Sequence, residues 1–289
     1  MGTLTTDVAG LLLVDKPAGI TSHDVVSIVR RSVHSRRVGH AGTLDPFATG
    51  LLVLLIGRGT RLLPFIDGEP KVYDATIRFG IETDTDDATG TSVRESEPPN
   101  DAAINAAVAR LTGAIEQIPP AYSAKQVSGV RAYTAARRGA ALELQPAHVT
   151  VHGWRLTGRI GADLVARITC SGGTYIRALA RDLGRLSNSA AHLSSLRRVR
   201  SGPFAVDDAV TVPDLRAGSF RLRPLRDAVP SLPTQQVDSA ELARVLHGNA
   251  VEAKTAGTRV GLVDRDDALV AIAIRDGDEL RPKLVLRDV

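Results

Sequence analysis

The chain has 289 residues, a formal net charge of +4 and a pI of about 9.5. Its apolar fraction of 43% fits a globular core, and no apolar run approaches the ~18 residues that a membrane helix needs. The single cysteine, Cys170, excludes an intramolecular disulfide and fits a reducing compartment. No cationic segment precedes an apolar one at the N-terminus, so no secretory signal is expected and the expected location is the cytoplasm.

In chain order, Gly10 to Val14 reads as a short buried strand, closed by Asp15-Lys16-Pro17-Ala18-Gly19. Thr21 or Ser22 then caps a helix through about Val33, with Val25, Val26 and Val29 at helical spacing. The segment Gly39 to Gly50 follows, and an apolar run, Leu51 to Ile56, comes after it. Pro46 restricts Asp45 to an extended backbone, and Gly42 and Gly50 let the chain bend on either side. Asp45 reads as a held carboxylate. The same residues also read as an Asp-Pro turn before a buried strand.

Val72 to Phe79 alternates like a strand, and Asp84 to Gly90 is a polar turn. Residues 101–112 carry helical periodicity behind Asn100 as a cap. Ile118 to Lys125 breaks that pattern. Val149 to Leu156 and Leu164 to Cys170 look like strands. Gly172-Gly173-Thr174 turns into a helix with one stripe of Ile176, Leu179, Ala180 and Leu183. Pro224 to Pro233 reads as a linker. Beyond it stand a short helix, about Ser239 to Leu246, and three strand-like runs, Val260 to Val263, Leu269 to Ile274 and Lys283 to Leu286. These make a small β-rich module.

The charge is unevenly spread. No acid lies between Asp24 and Asp45, where Arg30, Arg31, Arg36 and Arg37 stand. Arg197, Arg198 and Arg200 form a second cluster and Arg221, Arg223 and Arg226 a third. Separated basic clusters suit a long polyanion better than a small acidic metabolite. No phosphate loop, no G-x-G-x-x-G turn, no C-x-x-C, no H-E-x-x-H and no G-x-S-x-G elbow occur, which argues against a nucleotide cofactor, a metal and a serine nucleophile. His148 and His152 share a strand face that could in principle bind a metal, but two lone histidines on a basic protein more often face solvent or a phosphate. A carboxylate, several arginines and a few tyrosines remain.

Seven segments, in order over about residues 10–204, resemble those of the bacterial tRNA pseudouridine-55 synthases of the TruB type. Gly39 to Gly50 resembles the family's G-H-x-G-x-L-D-P-x-A-T-G loop, and Asp15 to Ser22 its D-K-P-x-G-x-T-S segment. Lys71-Val72-Tyr73 resembles K-x-Y, Thr83 to Gly90 the T-D-T-x-D-x-x-G turn, and Ile118 to Lys125 the I-P-P-x-Y-S-A-x-K stretch. Gly173 to Arg177 resembles G-T-Y-I-R, and Leu196-Arg197-Arg198 L-R-R.

The resemblance implies an α+β fold, with a long, largely antiparallel sheet flanked by helices. It implies a catalytic domain over 1–229, with a thumb-like insertion at about 122–145, and a PUA-like RNA-binding domain over 234–289. It also implies conversion of uridine to pseudouridine in the T-loop of tRNA, without cofactor or metal. Asp45 is then the covalent nucleophile, and Arg177 pairs with it and favours its ionised form. Tyr73 stacks on the flipped uracil. Tyr175 and Leu196 wall the pocket. His40 fills the place the base leaves, which partly restores lost stacking. Lys16 and Lys125 support the site or touch backbone phosphate, and Asp87 makes a polar contact near the target. Arg30, Arg31, Arg36 and Arg37, with Arg131, Arg137 and Arg138 of the insertion, meet the RNA backbone. The expected partner is tRNA alone, bound by a monomer with no obligatory protein partner and no membrane.

Overall fold

The computed structural model describes residues 8–122, 126–127, 130–131 and 144–286. Its largest feature is a ten-stranded sheet. In chain order the strands are β1 (Gly10–Lys16), β2 (Val38–His40), β3 (Thr49–Ile56), β4 (Lys71–Phe79), β5 (Gly113–Gln117), β6 (Ala147–Ile160), β7 (Asp163–Cys170), β8 (Ala191–Ser201), β9 (Phe204–Ala205) and β10 (Val210–Thr211). The spatial order is β10-β1-β3-β8-β4-β7-β6-β5, with β2 on β3 and β9 on β8. All pairings are antiparallel except β1–β10 and β3–β8.

The unbroken apolar run in β3 has a simple cause. Alternate strand residues point to opposite faces, and both faces of β3 are covered. Leu51, Val53 and Leu55 enter one core cluster, while Leu52, Leu54 and Ile56 enter another. β1 divides in the same way, with Leu11 and Leu13 on one side and Leu12 and Val14 on the other.

Helix α1 (Ser22–Ser32) covers the second cluster with Val25, Val26, Ile28 and Val29. Thr21 is its cap: its side chain accepts from Asp24 N–H, and Asp24 returns a bond to the Thr21 backbone. Helix α2 (Asp101–Arg110) starts at Asn100, whose side chain accepts from Ala103 N–H. Helix α3 (Ile176–Leu186) lays Ile176, Leu179, Ala180 and Leu183 against β4, β7 and β8 in a third cluster.

The C-terminal strands are β11 (Thr234–Gln236), β12 (Val251–Glu252), β13 (Arg259–Val263), β14 (Leu269–Asp276) and β15 (Glu279–Val285). They form a separate sheet in the order β11-β13-β14-β15-β12. The proline-rich stretch before it is not a free tether. Ala228 and Val229 are buried in the same cluster as Leu11 and Leu13 on one side and Val263 and Leu269 on the other. Prolines mark breaks in regular structure, and they do not mark exposure. The Arg259 guanidinium lies 5.3 Å from the centre of the Phe65 ring across this contact. No helix among the described residues is long and apolar enough to cross a membrane.

Candidate active site

The loop between β2 and β3 carries Asp45, and its backbone is tied on both sides of that residue. Ser22 Oγ accepts from Leu44 N–H at 2.9 Å and donates to Leu44 O at 3.2 Å. Pro46 O accepts from Gly19 N–H at 2.9 Å and from Lys16 Nζ at 3.3 Å. Lys16 Nζ also donates to Pro17 O and Ile20 O, at 2.9 and 2.8 Å. Burial lowers the Lys16 pKa to about 8, against the opposing pull of the Asp45 carboxylate. Gly50 closes the loop at φ +101°, where a β-carbon would lie 2.3 Å from the Arg198 carbonyl oxygen. Only glycine lets β3 pair with β8 so closely.

Arg177, from the first turn of α3, grips Asp45 with a fork: Nε to Oδ2 and Nη2 to Oδ1, each 2.9 Å. The guanidinium is buried, whereas the Asp45 side chain stays one-third exposed. Its remaining donors go to Thr85 O and Tyr122 O, both at 3.0 Å, and Asp87 Oδ2 stands 3.4 Å from Nη1. This pair begins a ladder. Arg177, Arg181 and Arg185 recur every four residues on one face of α3. They meet Asp87, Asp86 and Glu82 in turn, at 3.4, 2.9 and 2.5 Å. The acids come from strand Ile81–Thr83 and the turn after it. Burial outweighs Arg181, Arg177 and Arg185 at Asp86 and raises its pKa to about 6.

Asp45 opens onto a cavity of about 270 Å³ lined also by Lys71, Tyr73, Thr174, Tyr175, Arg177 and Leu196. That size suits a single ring more than a dinucleotide. Tyr73 is buried, and burial raises its phenol pKa, so the ring is a neutral face. Tyr175 is held at the start of α3 by Gln117, which accepts from its N–H at 2.8 Å and donates to its carbonyl at 3.1 Å.

Asp45, Arg177, Tyr73, Tyr175 and Leu196 therefore meet around one space. His40 does not line that cavity. It is half-buried at the end of β2, and burial followed by Arg198 lowers its pKa, which favours the neutral imidazole. Of the two roles open to Lys16 the geometry favours support of the site, and the expected polar contact of Asp87 with the target needs correction. Lys16 is fully buried beneath the loop with its ammonium spent on three carbonyls, so it holds the loop. Asp87 is buried behind Arg177 and faces that guanidinium, not the cavity.

Among the expected backbone contacts, Arg31, Arg36 and Arg37 are exposed and Arg30 is half-buried. Lys125, Arg137, Arg138 and the Arg131 side chain lie outside the described residues, as does most of the 122–145 insertion. The second basic cluster is not what its charge suggested. Arg198 is buried, and it donates to Leu51 O at 2.7 Å and Gly42 O at 3.0 Å. Arg197 is paired with Asp15 at 2.7 Å. Sequence reasoning missed Arg198, Gln117 and Arg181 as supports of the site, and Lys71 as a cavity residue. The four-residue spacing of Arg177, Arg181 and Arg185 was the available signal for the ladder.

The site offers a carboxylate aimed by a buried fork, beside an aromatic face and an apolar wall. That equipment suits covalent attack on a flat, ring-bearing substrate. No group of three or more metal-ligating side chains occurs among the described residues.

Comparison with known proteins points to one family. Residues 30–176 match the TruB family pseudouridylate synthase N-terminal domain, and residues 177–246 match the tRNA pseudouridylate synthase B C-terminal domain. The chain is 45% identical over 287 residues to a tRNA pseudouridine synthase B of Thermobifida fusca (strain YX), covering 96% of this chain and 98% of the relative. It is 42% identical over 294 residues to that of Arthrobacter sp. (strain FB24), covering 96% of each. Among solved structures it is similar in fold to a chain of an H/ACA ribonucleoprotein bound to a substrate RNA containing 2′-deoxyuridine. There the TM-score is 0.72 at 23% identity, over 96% of this chain and 85% of that one. With a matching family over more than half its length and relatives this similar across nearly all of it, the chain belongs to the TruB family of pseudouridine synthases, isomerases that make pseudouridine.

Proposed function

We propose that this protein converts uridine to pseudouridine at position 55, in the T-loop of tRNA, with Asp45 as covalent nucleophile. The observation that carries the reading is the Asp45–Arg177 fork at the mouth of a ring-sized cavity walled by Tyr73 and Leu196. The reaction breaks the N1–C1′ bond, turns the base and joins C5 to C1′. A uridine within a folded loop is unreachable until it is flipped out, and the cavity is where the flipped base lies against Tyr73. His40, beside the cavity but outside it, suits a planar filler for the gap in the RNA stack.

The name of the curated relatives supports tRNA as the substrate. Arg31, Arg36 and Arg37, exposed just ahead of the Asp45 loop in the chain, supply phosphate contacts, while shape and the flipped base give selectivity. The separate C-terminal sheet acts as a PUA-like RNA-binding module, packed on the catalytic body over 1–229. The protein works alone, as a cytoplasmic monomer.

The test is release of tritium from a bare tRNA transcript carrying 5-³H-uridine, with no other protein added. Release confined to one equivalent per tRNA, mapping to position 55, is expected. Release only after addition of other proteins or a guide RNA would move the chain to a guided mode of action.

A further inference from the structure

We propose that Lys71 is a further catalytic residue of this reaction, whose ammonium engages a carbonyl oxygen of the uracil ring while that ring carries negative charge. The inference rests on the pseudouridine synthase reading above and assigns a task that the Asp45–Arg177 fork leaves undone.

Lys71 and Tyr73 stand two residues apart on β4, so both side chains project from the same face, and both line the Asp45 cavity. Lys71 Nζ lies 3.2 Å from where a β-carbon of Gly42 would be, over the turn that leads into Asp45.

Among the described residues every other cation at the site is committed. Arg177 gives its donors to Asp45, Thr85 O and Tyr122 O and faces Asp87. Arg198 is bonded to Leu51 O and Gly42 O, and Lys16 to three carbonyls. Among the described residues Lys71 has neither an ion pair within 4.0 Å nor a hydrogen bond. An ammonium turned inward without a partner is costly, so a partner brought by the substrate is the natural complement. The groups around it are Arg198, Asp45, Tyr73, Glu69 and Cys170. Burial first and Arg198 next lower its pKa, and Cys170 and Glu69 oppose them weakly.

The chemistry then needs a cation at this place. If the Asp45 carboxylate attacks C1′, a C1′–O bond forms and the N1–C1′ bond breaks. Its electron pair stays on the uracil ring, shared by N1 and the two carbonyl oxygens. The ring turns, C5 attacks C1′, and the carboxylate leaves with the C1′–O pair. C5 then loses its proton and N1 gains one. If Asp45 instead adds to C6, the ring π pair moves through C5 onto O4. Both routes put negative charge on ring carbonyl oxygens. Tyr73, a neutral phenol, cannot balance it as a fixed cation can.

The experiment compares Lys71→Met and Lys71→Arg with the unsubstituted chain. It measures single-turnover tritium release at saturating tRNA, tRNA affinity by filter binding, and melting temperature. Lys71→Met should slow release by about 10²–10³-fold with affinity changed less than about threefold, as for loss of one donor to a developing oxyanion. Lys71→Arg should recover at least about tenfold of that loss. The release rate of the unsubstituted chain should decline at high pH as Lys71 deprotonates, and Lys71→Arg should move that decline to higher pH.

An unchanged saturated rate with weaker, less salt-dependent binding would make Lys71 a backbone-phosphate contact and overturn the proposal. Equal loss in both variants with a lowered melting temperature would make it structural and overturn it too. No release by the unsubstituted chain would remove the parent reading and this inference with it. Release by that chain but no defect in Lys71→Met would remove this inference alone.

Discussion

Replacing Arg177 by Met takes away both the fork that aims Asp45 and the only cation within 4.0 Å of Asp87 among the described residues. The Arg177–Asp87 separation of 3.4 Å corresponds to a Coulomb attraction of about 5 kcal/mol at an effective dielectric constant near 20. Desolvation offsets part of that while both charges are present, but with Arg177 gone the buried carboxylate is left alone. Breaking a buried pair from one side costs about 3–5 kcal/mol, which for a chain of this size lowers the melting temperature by roughly 5–8 °C. Asp87→Asn in the same chain removes the stranded charge. The double variant should therefore be less destabilised than the sum of the singles, by about 2–3 kcal/mol. Arg177→Lys keeps one charge but cannot span two carboxylates and two carbonyls, so Asp45 drifts and single-turnover tritium release falls by at least about 10²-fold. The assays are chemical denaturation for the cycle and tritium release for the rate. Additive destabilisation within about 0.5 kcal/mol, or a near-normal rate in Arg177→Lys, would refute the reasoning.

Other consequences follow from single groups. Lys16 keeps fewer protons folded than unfolded between about pH 8 and its ordinary 10.5, so its contribution to stability rises with pH across that window. Relative to Lys16→Met, the unsubstituted chain should gain about 3 kcal/mol over the window, measured by denaturant melts at either end. Cys170 is buried with its pKa raised to about 11, so at pH 8 roughly one thiol in 10³ is ionised. A thiol reagent should label it only on unfolding, and rapid labelling of the folded chain would contradict the burial. Gly50 and Gly113 both have positive φ, but a β-carbon meets backbone only at Gly50. Gly50→Ala should cost more than about 3 kcal/mol and Gly113→Ala about 1, and comparable thermal melts for the two would contradict the close β3–β8 pairing.

Much of this was legible in the sequence, for local reasons. The cap at Thr21, the cap at Asn100 and the apolar stripe on α3 are written in residues that touch neighbours three or four positions away. The Asp45 loop was legible because glycine and proline report backbone conformation directly. β8 was not. Its alternation is interrupted by bulges between Leu193 and Ser195 and between Arg198 and Arg200, and its arginines read as a surface patch. Arg198 is buried because two carbonyls in other segments, Leu51 and Gly42, receive its donors. The Arg177 partner of Asp87 and the Tyr175 partner of Gln117 are likewise set by long-range folding. A motif shows which residues matter, but whether a charge faces solvent, substrate or another side chain depends on contacts a hundred residues away.

The central claim is that Asp45 is the nucleophile, and Asp45→Asn tests it most directly because the amide keeps the shape and loses the charge. The measurement is single-turnover release of tritium from tRNA carrying 5-³H-uridine, with tRNA binding followed on the same preparation. The prediction is near-normal binding with release at least roughly 10⁴-fold slower than in the unsubstituted chain. Pseudouridine formed by Asp45→Asn at a rate near normal would contradict the account.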